Sequence, residues 1–378
     1  MAVAILIKLS LFVGGTLRVA DSKMAPDTAW YLELGKSLYE KGSFSLPDQY
    51  GATHPETFRT PGYPLFLAVL HDAAKIPLNG VILVQVMLTL LVAWIIYIVA
   101  GQIDGKIAPL SAIIFLFDLP TTMIALRLLT EVLFMLFTVL FVLSFVLYLR
   151  RGAVKFLILS ALAMVVSVYV RPGAYYLGAA VAVFIVYANV PRNIKRALMH
   201  AVLFGAVVFS LLGAWQVRNY NCCKVTAFST VNHGIDQANG IASGYTREQS
   251  PSSHGEMPAE YYSMLFLKAA VSFMTMPGSL KYFGSSVLTN LGKVLGYAYM
   301  VFWMIGFLVG TIKTGRNIYY QFLLLIIACF LFGSALFVTM IAGDRFRAPV
   351  VPCIVMISAY GWGIIWKEHR KDKTNLTT

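Results

Sequence analysis

The sequence predicts an all-α, polytopic membrane protein of about ten transmembrane helices, organised as a single integral domain over residues 1–378. Three observations carry this expectation. First, 58% of the residues are hydrophobic and 12% are charged, against about 25% charged in a soluble domain. The mean hydropathy is +0.73. No soluble core could hide so much apolar surface, so the bilayer must act as solvent. Second, the apolar residues fall in solid runs such as Val132 to Tyr148, not in the roughly ten-residue alternating segments of a transmembrane barrel. Third, the net charge of +13 is concentrated in short loops between apolar runs. That is the pattern of cytoplasmic loops, and it argues against nucleic-acid binding.

The helices follow in order. The first spans about 2–19, and lacks the basic leader and small-residue cleavage site of a signal peptide. Lys8 within it is expected to snorkel to the cytoplasmic surface. Further helices are expected at about 79–100, 107–125, 130–149, 154–170, 173–189, 197–216, 292–312, 318–341 and 348–366. Lys106, Arg150, Arg151, Lys155, Arg192, Lys195, Arg196, Lys313, Arg316, Lys367, Arg370, Lys371 and Lys373 all fall on one side if there are ten spans. That side is cytoplasmic, so both termini lie inside. The loops at about 20–64 and 217–290 then face outward. Tyr63 to Ala74 is too short to span and is expected at the interface, as are amphipathic helices within 258–290.

Cysteines number four; Cys222 and Cys223 are adjacent and none has metal-ligand spacing, so all read as unpaired thiols. His54, His71 and His233 likewise lack ligand spacing, and no metal or other cofactor is expected. Trp30 and Tyr31 read as interface-belt aromatics.

The informative charges gather at the outer helix ends: Asp27 in the first loop, Arg59 at its close, Arg127 and Glu131, Arg171, Arg218, and Asp344 with Arg345 and Arg347. Glu131 stands one turn after Arg127, a spacing at which the two can pair. Charges at a bilayer interface must be paired, hydrated or meet an ionic ligand. The chemistry this set suits is transfer from a lipid phosphate. Arginine forks match phosphate oxygens, and a carboxylate can take the proton of an attacking hydroxyl. No nucleotide-binding Gly-rich loop is present.

The order of motifs adds a resemblance. Arg18 precedes Asp27-Thr28-Ala29-Trp30-Tyr31, with Leu38 and Gly42 behind it, then Arg59-Thr60-Pro61-Gly62-Tyr63-Pro64-Leu65-Phe66. Leu83-Val84-Gln85, Leu129-Thr130-Glu131-Val132-Leu133-Phe134 and Arg171-Pro172 follow. Trp215-x-x-Arg218-Asn219-Tyr220 and Asp344-Arg345-Phe346-Arg347-Ala348-Pro349-x-x-Pro352 complete the series. In this order they resemble bacterial GT-C class glycosyltransferases of the dolichyl-phosphate-mannose–protein mannosyltransferase kind, a superfamily that includes the lipid A aminoarabinose transferases.

The resemblance implies a helical bundle with juxtamembrane helices in the first outer loop. It implies a polyprenyl-phosphate sugar donor, undecaprenyl phosphate in bacteria, and a glycan or lipid-linked acceptor of the cell envelope such as O-antigen or lipopolysaccharide. It places Asp27 as the base of an inverting transfer. Arg345 and Arg347, with Arg171 and Arg218, would lie near the donor phosphate; Glu131, Arg59, Tyr63 and Asp344 are further site candidates. It implies a bacterial inner membrane location with the active site facing the periplasm. Asp27 is followed by Thr28 where many relatives carry Asp-Glu, and only Lys367 to Thr378 follow the last helix, so acceptor recognition is assigned to the outer loops. Alternative readings are a glycan ligase or polymerase using a diphosphate-linked lipid, and a lipid-linked sugar transporter.

Overall fold

The computed structural model describes residues 2–16, 24–25, 27–47, 51–189, 193–229, 286–337 and 347–376. Residues 258–285 of the expected amphipathic segment at 258–290, and the residues Arg18, Asp344 and Arg345, lie outside the described residues. Helix α1 (Ala2–Leu11) ends in a π-helical turn. The first loop then forms α2 (Thr28–Lys41), a hairpin of β1 (Ser45–Pro47) and β2 (Thr53–Pro55), and α3 (Gly62–Leu67), prolonged as π-helix to Ala73. The bundle continues with α4 (Leu78–Ile103), α5 (Ala108–Leu116), α6 (Leu119–Ala125), α7 (Glu131–Arg151), α8 (Val154–Val170), α9 (Leu177–Asn189) and α10 (Ile194–Cys223). It closes with α11 (Ser286–Lys313), α12 (Ile318–Phe337) and α13 (Val351–Leu376).

Six of these helices are long and apolar enough to cross a membrane, and the bent pair α5–α6 makes a seventh if it is one span. Three shorter apolar helices, Ile5–Gly14, Val154–Val170 and Ile318–Gly333, occupy the other expected segments. The apolar helices make this a multi-pass membrane protein.

Helix α7 is the centre of the bundle, packed against α4 and α8. It is apolar on every side, as a helix enclosed by others must be. Phe145 of α7 stacks on Phe322 of α12 with ring centroids 4.1 Å apart, and Phe141 and Phe184 complete the cluster. Helices α11 and α13 make a very close pair. A Cβ added at Gly310 would strike the Ile357 carbonyl, and one at Gly361 the Gly306 carbonyl. Gly306-x-x-x-Gly310 is the small-residue spacing that lets membrane helices approach backbone to backbone. Gly310→Leu is therefore expected to separate α11 from α13 and lower the thermal midpoint in detergent, while Gly213→Leu, at a glycine with open space around it, leaves the midpoint unchanged.

Two expectations need correction. The expected single helix at 107–125 is broken, with α5 and α6 meeting at 58°. Asp118 is extended and its carboxylate accepts from the Thr121 amide at 2.9 Å, while Pro120 sits in the first turn of α6. A cap followed by proline starts a new helix and cannot continue an old one. Lys8 does not snorkel. It is 1% exposed, and its ammonium donates to the Thr122 hydroxyl at 2.6 Å, within the field of Asp118. The broken helix offers the cation partners inside the bundle, so it has no need of the surface. Within the mostly helical chain the first loop also holds a short antiparallel hairpin, with Leu46 opposite His54.

Candidate active site where the first loop meets the bundle

The first loop is fastened to the helix ends at four places, and each uses a residue of the motifs above. At the head of α2, the Thr28 hydroxyl accepts from the Ala25 amide at 2.9 Å and donates to the Leu128 carbonyl at 3.1 Å. This fixes the N-cap residue Asp27, half-buried, beside the segment leading into α7. At α3, the buried Tyr63 donates to Gln85 Oε1 at 2.8 Å, and Gln85 Nε2 donates to the carbonyls of Ala125 at 3.2 Å and Arg127 at 2.6 Å. Tyr31 meets the Tyr63 ring edge-on at 5.2 Å. Tyr31 is thus a packing residue of the loop, whereas Trp30 is exposed and carries the Arg59 guanidinium 4.8 Å above its ring. Burial first, then the charge of Glu131 and then Tyr31, hold the Tyr63 phenol well above its ordinary pKa, so it serves as a lasting donor.

The third fastening joins the loop to the end of α8. Thr60 donates to the Val170 carbonyl at 3.2 Å. Gly62 lies so close to the same backbone that a Cβ would stand 2.7 Å from the Tyr169 carbonyl oxygen. Only glycine fits this contact without moving the loop. Gly62→Val is therefore expected to lift α3 from α8 and to lower any activity of the site, together with a gain in protease cleavage between 44 and 62; an unchanged cleavage pattern contradicts the contact.

The fourth is Arg218 near the end of α10. Its Nη1 donates to the Glu56 carbonyl at 2.6 Å and to Asn219 Oδ1 at 3.0 Å, and its Nη2 donates to the Phe44 carbonyl at 2.9 Å. Phe44 and Glu56 flank the two strands, so one arginine fork clamps the base of the hairpin. Its plane also lies 4.8 Å from the centre of the Trp215 ring. Asn219 donates to the carbonyls of Ala227 and Phe228, and Ser229 donates to the Phe58 carbonyl at 2.6 Å, so the chain leaving α10 is bound to the loop too.

Between these fastenings lies a buried ion pair. Glu131, fully buried at the start of α7, accepts from Arg171 Nη1 at 2.6 Å, and the Thr130 hydroxyl donates to its other oxygen at 3.2 Å. Arg171 ends α8 and keeps 18% of its side-chain surface open. This pair joins the two helices across forty residues of chain. Arg59 pairs with Glu56 at 3.5 Å. Arg347 is 3% exposed, with its guanidinium 5.6 Å from the centre of the Trp303 ring on α11. Among the described residues, no three His, Cys, Asp or Glu side chains gather as a metal site would require.

The structure thus brings Asp27, Tyr63, Glu131 and Arg171 to one junction, with Arg59 and Arg218 on its loop side. Sequence reasoning missed Thr28, Thr60 and Gln85 as the residues that join the parts. Their signal was present, since each lies inside a quoted motif.

Archaeal oligosaccharyltransferase AglB from Archaeoglobus fulgidus, solved with an inhibitory peptide and a dolichol-phosphate, superposes with a TM-score of 0.58 at 13% identity, over 100% of this chain and 52% of that one. ArnT from Cupriavidus metallidurans superposes at 0.57 with 14% identity, over 95% and 59%. This is the GT-C fold. A further ArnT structure, bound to undecaprenyl phosphate, superposes at 0.53 with 14% identity, over the same shares. The chain spans about half to three fifths of the length of these GT-C proteins. The family described as dolichyl-phosphate-mannose-protein mannosyltransferase matches residues 54–215, a stretch that runs from the hairpin through Gln85, Glu131 and Arg171 to Trp215. The chain resembles GT-C glycosyltransferases of the dolichyl-phosphate-mannose and aminoarabinose transferase type, as the motif order implies. No curated protein sequence matches it significantly.

Proposed function

We propose that the protein is a membrane glycosyltransferase that moves a sugar from a polyprenyl-phosphate donor to a cell-envelope acceptor. The observation that supports this best is the half-buried Asp27, fixed by Thr28 beside the segment that leads into the buried Glu131–Arg171 pair, in a fold shared with proteins solved with dolichol-phosphate and undecaprenyl phosphate. In this reading the acceptor hydroxyl attacks the anomeric carbon from the face opposite the phosphate. Asp27 takes the hydroxyl proton, the bond from sugar to phosphate oxygen breaks, and the polyprenyl phosphate leaves. Arg345, Arg347 and Arg171 neutralise the charge that grows on the leaving oxygen. Glu131 has no access to an acceptor; it orients Arg171 towards the phosphate. Both terminal nitrogens of Arg218 are used by backbone carbonyls, which supports a role in holding the acceptor loop rather than the phosphate.

Ten spans, with both termini cytoplasmic and the site on the periplasmic face of a bacterial inner membrane, are the topology proposed with it; an O-antigen or lipopolysaccharide glycan is the proposed acceptor. The separating experiment offers the purified protein the same sugar on a lipid monophosphate or on a lipid diphosphate. Consumption of the monophosphate donor is expected. Consumption of only the diphosphate donor would make the protein a ligase or polymerase of lipid-linked glycan.

A further inference from the structure

A second polar site lies at the other end of the bundle. Tyr148, Gly152, Asn189, Asn193, Arg196 and His200 line a cavity of about 210 Å³. Tyr148 stands seventeen residues after Glu131 on α7, which at 1.5 Å per residue is about 25 Å along the helix axis. Arg196 and His200 open α10, whereas Arg218 closes it. The cavity is therefore separate from the candidate active site, at the end where the basic residues Arg150, Arg151, Lys155 and Lys195 lie.

Its lining is built. Tyr148 and His200 are each 2% exposed, yet both are polar and both face the cavity. Asn189 Nδ2 donates to the Tyr148 oxygen at 3.1 Å, and that hydroxyl pairs with His200 Nδ1 at 2.8 Å. Either atom of this pair can hold the shared hydrogen; with the hydroxyl as donor, Nδ1 is the acceptor. A neutral imidazole that accepts at Nδ1 carries its proton at Nε2. In that tautomer His200 is a donor through Nε2, for which no protein hydrogen bond is seen among the described residues. Arg196 is anchored by one nitrogen to the Gly152 carbonyl at 3.0 Å, and Asn193 caps α10 by accepting from the Arg196 amide at 3.1 Å. Among the described residues, the lining holds one cation, an imidazole, amide donors and the positive end of a long helix, and no carboxylate. Sites for drug-sized ligands measure about 300–1,000 Å³, so this one suits a smaller group.

We propose that this cavity binds a phosphate group, with Arg196 as its cation and His200 Nε2 as its buried donor. The phosphate belongs either to an anionic lipid headgroup of the adjacent leaflet or to free phosphate.

The test is a thermal-shift titration of the purified full chain in neutral detergent with phosphatidylcholine. One arm adds inorganic phosphate against chloride at matched ionic strength, and the other adds phosphatidylglycerol. A rise in the midpoint is expected in at least one arm. A rise with inorganic phosphate assigns a free anion, and a rise only with phosphatidylglycerol assigns a headgroup. Two variants decide whether the cavity is responsible. Arg196→Gln removes the cation. Asn193→Asp keeps a good helix cap but sets a negative charge in the lining. Each is expected to raise the half-maximal concentration at least fivefold, whereas Arg151→Gln, outside the cavity, keeps the wild-type value. No shift in either arm, or equal shifts in wild type and Asn193→Asp, would overturn the proposal.

Discussion

Asp27→Asn is expected to lower sugar transfer by a factor of about 10²–10⁴, the usual contribution of a positioned general base. The protein should still fold and insert, because Asp27 caps α2 without a side-chain hydrogen bond to the helix backbone, and asparagine is an equally good cap residue. The loss should fall on turnover, with donor affinity little changed, since the amide keeps the shape of the carboxyl and removes only its basicity. Asp27→Glu keeps the basicity but moves it by one methylene, and an intermediate loss is expected. The effect is read from initial rates with a labelled donor beside the thermal midpoint of each variant. Full transfer by a well-folded Asp27→Asn protein would remove Asp27 from the chemistry.

The second large effect is expected at Glu131 and Arg171. Their contact at 2.6 Å lies where Glu131 has no exposed surface. Removing one partner of a buried pair leaves a charge without compensation and costs about 3–5 kcal/mol. Glu131→Leu and Arg171→Leu are therefore each expected to lower the midpoint strongly. The double variant Glu131→Leu/Arg171→Leu should recover much of that loss, because two apolar groups often replace a buried pair without penalty. Transfer should stay absent in the double variant if Arg171 meets the donor phosphate. Recovery of both stability and transfer would make the pair a structural element alone. Double-mutant analysis of the midpoints measures the coupling directly.

How far the sequence could be read follows the range of the interactions. The bundle was legible because a transmembrane helix is a local pattern. The expected segments at 154–170 and 130–149 coincide with α8 and α7 to within two residues. The break at Asp118 was also written locally, in Asp118-Leu119-Pro120, but the apolar run around it hid the stop signal. Asp27 in the first loop came from the motif order, and the structure puts it at the N-cap of α2. The pairs that join the site were not legible. Glu131 finds Arg171 forty residues along the chain, and Arg218 finds two carbonyls more than 160 residues away. Such partners depend on which helix ends meet, and periodicity carries no information about that. Lys8 failed for the same reason, since its partner Thr122 is 114 residues distant. The approach of α11 to α13 sits between these cases: Gly306-x-x-x-Gly310 marks a close contact, but not with which helix.

The central claim is that the protein breaks the bond between a sugar and a polyprenyl phosphate, and the most direct measurement follows that bond. Purified protein in proteoliposomes is given a polyprenyl-phosphate donor labelled in both sugar and lipid, with a glycan acceptor. The account predicts that free polyprenyl phosphate appears in step with sugar-modified acceptor, and that Asp27→Asn stops both. Passage of the intact donor across the bilayer, with both labels still joined and no acceptor modified, would contradict it and make the protein a transporter.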